Sequence, residues 1–109
     1  MSTQSVCAFK TLTDGATIAV DFSVAENNQV TLGGNRTFTF ANPQVGVIYC
    51  LKLIQDSTGS RLATWPSTVV WAGGSAPTLT TTAAYNDMLY FMYDGSKYRD
   101  VAIVKNYAS

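Results

Sequence analysis

Apolar and polar side chains alternate along much of this chain with a period of two, the period of a strand that keeps one face in a core. Across residues 16–24, Ile18, Val20, Phe22 and Val24 fall on one side, and Thr17, Ala19, Asp21 and Ser23 on the other. Asp14-Gly15 before this run and Glu26-Asn27-Asn28 after it carry turn chemistry. Residues 29–32 and 36–40 read as two strands joined through Gly33-Gly34-Asn35, where glycine permits the positive φ of a tight hairpin. Phe38 and Phe40 share a face of the second strand. Pro43, lacking an N–H, ends it.

Residues 47–55 break the alternation. Tyr49, Leu51 and Leu53 occupy one parity, and Ile48, Cys50 and Ile54 the other, with Lys52 interrupting the second set. A strand apolar on both faces is covered on both. In a chain almost without helical periodicity, a neighbouring subunit is the expected cover for the second face. Downstream, residues 61–64 and a threonine-rich edge strand at 78–82 flank a loop-rich passage with Pro66, Gly73-Gly74, Pro77, Trp65 and Trp71. Runs 88–93 and 97–104 then flank Asp94-Gly95-Ser96, a strong hairpin signal. About eight short strands predict an all-β fold, an antiparallel β-sandwich of jelly-roll-like form. One domain is expected over residues 16–109, with an N-terminal arm over residues 1–15 and no internal repeat.

Composition narrows the function classes. The chain has 109 residues, of which 13% are charged, about half the usual share. Fourteen Thr and nine Ser supply polarity instead. Seven basic and seven acidic residues are scattered singly, so nucleic acid is not an expected partner. The absence of histidine removes Ser-His-Asp and Cys-His chemistry and histidine-ligated zinc. Asp14, Asp56 and Asp94 sit in turns, which accounts for them. Asp87 and Asp100 lie close to the last hairpin, with no spacing that pairs them. No catalytic residue, metal or cofactor is therefore expected, and the chain is not read as an enzyme.

The longest apolar stretch, residues 45–51, is far short of the roughly 20 residues of a membrane span. The opening residues lack the basic and apolar segments of a signal peptide, so synthesis in the cytoplasm and no membrane partner are expected. Cys7 and Cys50 make no disulfide framework, and Cys50 reads as a small buried hydrophobe. Arg36 and Arg61 each follow a turn and open a strand, where a planar guanidinium suits an interface. With Ile48, Cys50, Lys52 and Ile54 they form the candidate interface set. Trp65, Trp71, Tyr85 and Tyr98 are candidate ligand-facing aromatics for a sugar; the capping of the open end of a sandwich is the favoured reading of the tryptophans, since neither lies near a cluster of acidic and amide side chains.

From Gly34 onward the motifs combine. Asn35-Arg36-Thr37 precedes Phe38 and Phe40, then Asn42-Pro43 and Gly46 follow. Gln55-Asp56-Ser57-Thr58-Gly59-Ser60-Arg61, Trp65-Pro66, Trp71-Ala72-Gly73-Gly74 and Tyr93-Asp94-Gly95-Ser96-Lys97-Tyr98 complete the set. Over residues 16–109 this resembles a β-rich module of bacteriophage virion proteins, found in tail fibres, tail tips and small stand-alone structural proteins. Cys50 and Arg99-Asp100 depart from the usual look of that module.

The resemblance implies a non-enzymatic virion part, a homo-oligomer expected to be a trimer. Starting at Met1 without a shaft or anchor, the chain is expected to be a capsid decoration (cement) or knob subunit contacting other virion proteins. The alternative is a tail-fibre tip that binds host polysaccharide.

Overall fold

A computed structural model of the chain describes residues 9–108. The strands in chain order are β1 (Lys10–Thr11), β2 (Thr17–Asp21), β3 (Asn27–Leu32), β4 (Arg36–Ala41), β5 (Ile48–Gln55), β6 (Ala63–Thr64), β7 (Val69–Val70), β8 (Asn86–Tyr93) and β9 (Tyr98–Tyr107). A 3₁₀ turn at Ala72–Gly74 is the one helical element among the described residues. The fold is all-β, as the alternation requires.

The pairing differs from the expected antiparallel one. Five of the seven ladders are parallel: β1–β3, β3–β5, β2–β4, β4–β6 and β7–β9. Only β5–β8 and β8–β9 are antiparallel. The chain coils. It passes through a six-stranded sheet ordered β1-β3-β5-β8-β9-β7, crosses to a three-stranded sheet ordered β2-β4-β6, and returns one strand further along. Parallel neighbours need a crossover, and here a strand of the opposite sheet serves in place of a helix. Register partners lie 18, 20, 23 and 27 residues apart over successive rungs. The coil therefore repeats in space and leaves no fixed period in the sequence.

Inward positions of both sheets make one core. Ile18 and Val20 from β2, Val30 and Leu32 from β3, Phe38 from β4, Leu51 and Leu53 from β5, and Leu89 and Phe91 from β8 are all buried. Each is worth about 1.5–3 kcal/mol as an isolated transfer. Phe22, just past β2, is buried as its parity predicts, whereas Val24 lies exposed in the turn after it. Aromatic rings bridge the layers: Phe40 meets Phe91 at 5.6 Å and Tyr98 at 5.1 Å between centroids.

Two local expectations change. The segment Gly33-Gly34-Asn35 is no hairpin, because β3 and β4 belong to different sheets. Neither glycine has a positive φ. They are needed for clearance: a Cβ on Gly33 would sit 2.7 Å from Asp14 Oδ2, and one on Gly34 would sit 2.7 Å from an Arg36 guanidinium nitrogen. Residues 78–82 form no strand either. Thr80 has its backbone groups satisfied by side chains, its N–H donating to Asp87 Oδ2 and its carbonyl accepting from Gln55 Nε2. A segment bonded in this way has no use for a ladder.

The Asp94-Gly95-Ser96 hairpin forms as expected, with Gly95 at φ 98° and Asp94 N–H donating to Lys97 O. Part of the segment assigned to the arm lies along the body. Residues 10–11 pair with β3, and Asp14 grips the turn after it. Cys7 and its possible pairing with Cys50 fall outside the described residues.

Candidate assembly face

The outward side of the six-stranded sheet carries the residue type that strands usually turn inward. Strand register defines its rows. Ile48, Met92 and Arg99 lie opposite one another across β5, β8 and β9, with Val70 beside Arg99. Cys50, Tyr90 and Ala102 form the next row, Lys52, Met88 and Val104 the third, and Ile54, Asn86 and Tyr107 the fourth. Ile48 is 53% exposed and Val104 41%. Among the described residues no further strand is laid over this side, and the Phe9 ring lies 5.8 Å from Lys52 Nζ on it. A shallow groove of about 340 Å³ runs across it, lined by Lys52, Asn86, Met88, Tyr107 and Ala108.

The expected second apolar face of residues 47–55 is thus real, and three of its members lie on it within reach: Ile48, Lys52 and Ile54. Cys50 is a correction. It is 3% exposed, a free thiol beneath its neighbours, so it offers no contact surface. Burial pushes that thiol up, against the smaller opposing effects of the Tyr90 hydroxyl and Lys52. Met88, Tyr90, Met92, Ala102, Val104 and Tyr107 extend the face beyond what sequence reasoning named. The signal was available: residues 88–93 are apolar on both parities, as 47–55 are.

Arg36 and Arg61 are elsewhere. Arg36 grips Asp14 through Nε and Nη2, both at 2.8 Å, tying the β1–β2 connection to the start of β4. Arg61 grips Asp56 across the corner between β5 and β6, with Nη2 2.9 Å from Oδ2. Nε and Nη2 of each are engaged within the subunit, away from the sheet face that holds Ile48, Lys52 and Ile54. They are corner clamps.

The aspartates act alike. All six accept hydrogen bonds that brace turns and loops, Asp87 and Asp100 from within β8 and β9, and each takes at least one from a backbone N–H: Gly33 for Asp14, Ser23 for Asp21, Gly59 for Asp56, Thr80 for Asp87, Ser96 for Asp94 and Ala72 for Asp100. Asp87 and Asp100 thus have separate partners. Hydrogen bonds from Arg61 and then from Gly59 N–H hold the Asp56 carboxyl down to about 2. Those from Lys97 N–H and Arg99 hold Asp94 at about 2. Asp14, bound by Arg36, and Asp21, bound by the Ser23 hydroxyl and Asn42, are lowered as well.

These carboxylates have folded pKa values below the roughly 3.9 of an unfolded chain, so the folded state binds fewer protons in acid. Their stabilisation is present above a pH of about 4 and is lost as the pH falls towards about 2. With no histidine to titrate, stability is expected to stay flat from about pH 8 to 5 and then fall steeply. Urea midpoints measured across that range check it; a slope centred near pH 6 would refute the carboxylate account.

The candidate ligand-facing aromatics are inside or divided. Trp65 stacks on Phe38 at 5.1 Å, and Trp71 meets Trp65 at 5.4 Å and Phe91 at 5.6 Å. Tyr98 is buried against Phe22, Phe40 and Tyr93, and burial pushes its phenol up to about 12. Tyr85 is half-buried in the loop before β8 and makes no ring contact with the other three. The tryptophans close the core where the three-stranded sheet ends. Trp71→Ala is expected to destabilise by about 2 kcal/mol, the loss from a half-buried ring, read as a lower urea midpoint at constant slope. An unchanged midpoint would return Trp71 to the surface role.

Among the described residues, no group of three His, Cys, Asp or Glu side chains is placed to hold a metal ion, and no helix is long and apolar enough to cross a membrane. Compared with known proteins, the chain matches no protein-family model, no curated protein and no solved structure.

Proposed function

We propose that this chain is a non-enzymatic structural subunit of a bacteriophage particle, a surface component that associates with copies of itself and with other virion proteins. The observation that carries the assembly part is the apolar outward side of the six-stranded sheet, where Ile48 and Val104 are exposed and no strand of the described residues lies over them. A contiguous apolar patch of this kind marks a binding surface more often than plain solvent contact. The virion part rests on the motif resemblance from Asn35 to Tyr98. The side-chain chemistry supports both: six aspartates spent on bracing turns and loops leave a charge-poor body suited to an exposed position.

The two layers form a sandwich in this reading, supported by the Phe40–Phe91 and Phe22–Tyr49 contacts that join them. A jelly-roll path fits less well, because it runs through antiparallel neighbours. The tail-tip reading has less support, since Tyr98 is buried in the core and Trp65 and Trp71 are half-buried against it.

Density-gradient purification of particles from the phage that encodes the chain, followed by immunodetection, tests the proposal. Co-migration with intact particles is expected. Its absence from them, with the chain present in the lysate, would overturn the virion assignment.

A further inference from the structure

We propose that the three arginines of this chain guard three modification sites, the isomerisation-prone bonds Asp14-Gly15, Asp56-Ser57 and Asp94-Gly95, against spontaneous conversion to isoaspartate. The hazard belongs to the folded chain itself and does not depend on its place in a particle.

An aspartyl bond isomerises when the backbone nitrogen of the next residue, shedding its proton, attacks the side-chain Cγ. A C–N bond forms, one carboxyl oxygen leaves as water, and a five-membered succinimide remains. Water then opens the ring. Opening at the former backbone carbonyl routes the main chain through the side chain, which is isoaspartate. The water lost in the first step returns in the second, so no oxidant or other reactant is required. The attack needs a small following residue, glycine above all and then serine. It also needs a carboxyl that is protonated and free to turn its Cγ onto that nitrogen, because a carboxylate is a poor electrophile.

The sequence divides its six aspartates by that first need. Asp14 and Asp94 precede glycine and Asp56 precedes serine, whereas Asp21, Asp87 and Asp100 precede Phe22, Met88 and Val101. No Asn-Gly or Asn-Ser bond is present to undergo the related deamidation. The arginines make the same division. Arg36, Arg61 and Arg99 pair with Asp14, Asp56 and Asp94, and with none of the other three. Turn chemistry alone does not account for this. Asp21 accepts from the Ser23 N–H and hydroxyl as a turn aspartate does, and it has no arginine.

Each clamp occupies the group that would have to move. Arg36 Nε and Nη2 each lie 2.8 Å from an oxygen of Asp14, and Gly33 N–H donates to Oδ2. Arg61 Nε and Nη2 hold the two oxygens of Asp56, while Thr58 and Gly59 N–H donate to Oδ1. Arg99 Nε holds Oδ2 of Asp94, and Ser96 and Lys97 N–H hold Oδ1. A carboxylate tied at both oxygens turns only by breaking charge-assisted hydrogen bonds. Arg61 and then Gly59 N–H keep the Asp56 carboxyl at about 2, and Lys97 N–H and then Arg99 keep Asp94 there, so the reactive acid form is scarce. Isoaspartate would add a carbon to the main chain and displace the carboxylate. At Asp94 that would undo the β8–β9 hairpin, and at Asp14 the brace between the β1–β2 connection and β4.

Full-length wild type, Arg36→Met and Arg99→Met, kept folded at neutral pH and physiological temperature, test this by peptide mapping with electron-transfer fragmentation, which locates each isoaspartate. Isoaspartate should accumulate at least about threefold faster at Asp14 in Arg36→Met and at Asp94 in Arg99→Met, the scale of one well-aligned surface ion pair. Asp94 in the first variant and Asp14 in the second should keep the wild-type rate. Unfolded in urea, all three chains should react alike at each site, and faster than the folded wild type. The Arg99 side chain is 55% exposed, so its replacement is expected to leave the far-UV circular dichroism unchanged, and this arm stands where Arg36→Met does not fold. An acceleration below threefold at the unclamped aspartate of a folded variant would overturn the inference. So would equal acceleration at both sites, which would trace the effect to a looser fold.

Discussion

Gly59→Ala is expected to lower the unfolding free energy by at least about 3 kcal/mol, a large part of what a domain of this size holds. Gly59 has φ 75°, and Ser60 after it has φ 62°. Two successive left-handed residues make the sharp corner between β5 and β6. The conformation alone costs an alanine about 1–2 kcal/mol. The surroundings add the rest. A Cβ on Gly59 would lie 2.6 Å from Thr81 O, 2.9 Å from Ala83 N and 3.1 Å from Ala83 Cα. All three are backbone atoms. Thr81 O also accepts from Ser60 N–H at 2.8 Å, so the two loops cannot separate without breaking that bond.

Gly73→Ala supplies the comparison. Gly73 has φ 81° but nothing within 4 Å of a built Cβ, so only the conformational cost of about 1–2 kcal/mol is expected. Urea unfolding of both variants separates backbone clash from backbone strain. Equal losses at the two sites would mean that the 80–83 loop yields, and that it does not fix the corner.

The same corner shows what the sequence could and could not disclose. Ile18, Val20 and Phe22, or Tyr49, Leu51 and Leu53, announce their strands and faces because alternation reports burial side by side along one strand. Alternation says nothing about which strand lies alongside. The parallel coil was hidden for that reason, and because its rungs lengthen from 18 to 27 residues, so no period survives. Gly33 and Gly34 read as turn glycines when their need was clearance beside Asp14 and Arg36. Thr78, Thr80 and Thr82 have strand composition, yet Gln55 and Asp87 claim the backbone between them. Gln55 lies 25 residues from Thr80 and Asp87 seven, and no local pattern shows where either side chain reaches.

The candidate face was half legible. Residues 47–55 disclosed it through their double apolar parity, and Met88, Tyr90 and Met92 carried the same signal less visibly. The clamp role of Arg36 and Arg61 was not legible, because a strand-opening arginine shows no partner in the sequence and only the folded positions of Asp14 and Asp56 disclose it.

Asp87→Ala is expected to destabilise by about 3 kcal/mol, for reasons that join the core to the assembly face. Asp87 is 2% exposed. Its Oδ2 accepts from Thr80 N–H at 2.7 Å and its Oδ1 from Asn106 N–H at 2.9 Å. One carboxylate therefore holds the long loop before β8 and the bent end of β9. Removing it strands two donors in a site built around it, at about 1–3 kcal/mol for each that stays buried. Asp87→Asn keeps one acceptor and turns an amide donor towards the other N–H, so a smaller loss of about 2 kcal/mol is expected. Asp100→Ala, which frees only the exposed contact to Ala72 N–H, should cost no more than about 1 kcal/mol. Amide hydrogen exchange adds a local readout: Thr80 and Asn106 should lose protection in Asp87→Ala before the rest of β8 does. Losing this brace also relaxes the bulge that bends β9, and a straightened edge is a template for strand pairing. Asp87→Ala should therefore aggregate through that edge. Unchanged exchange at both amides in Asp87→Ala would show that the backbone holds the end of β9 without it.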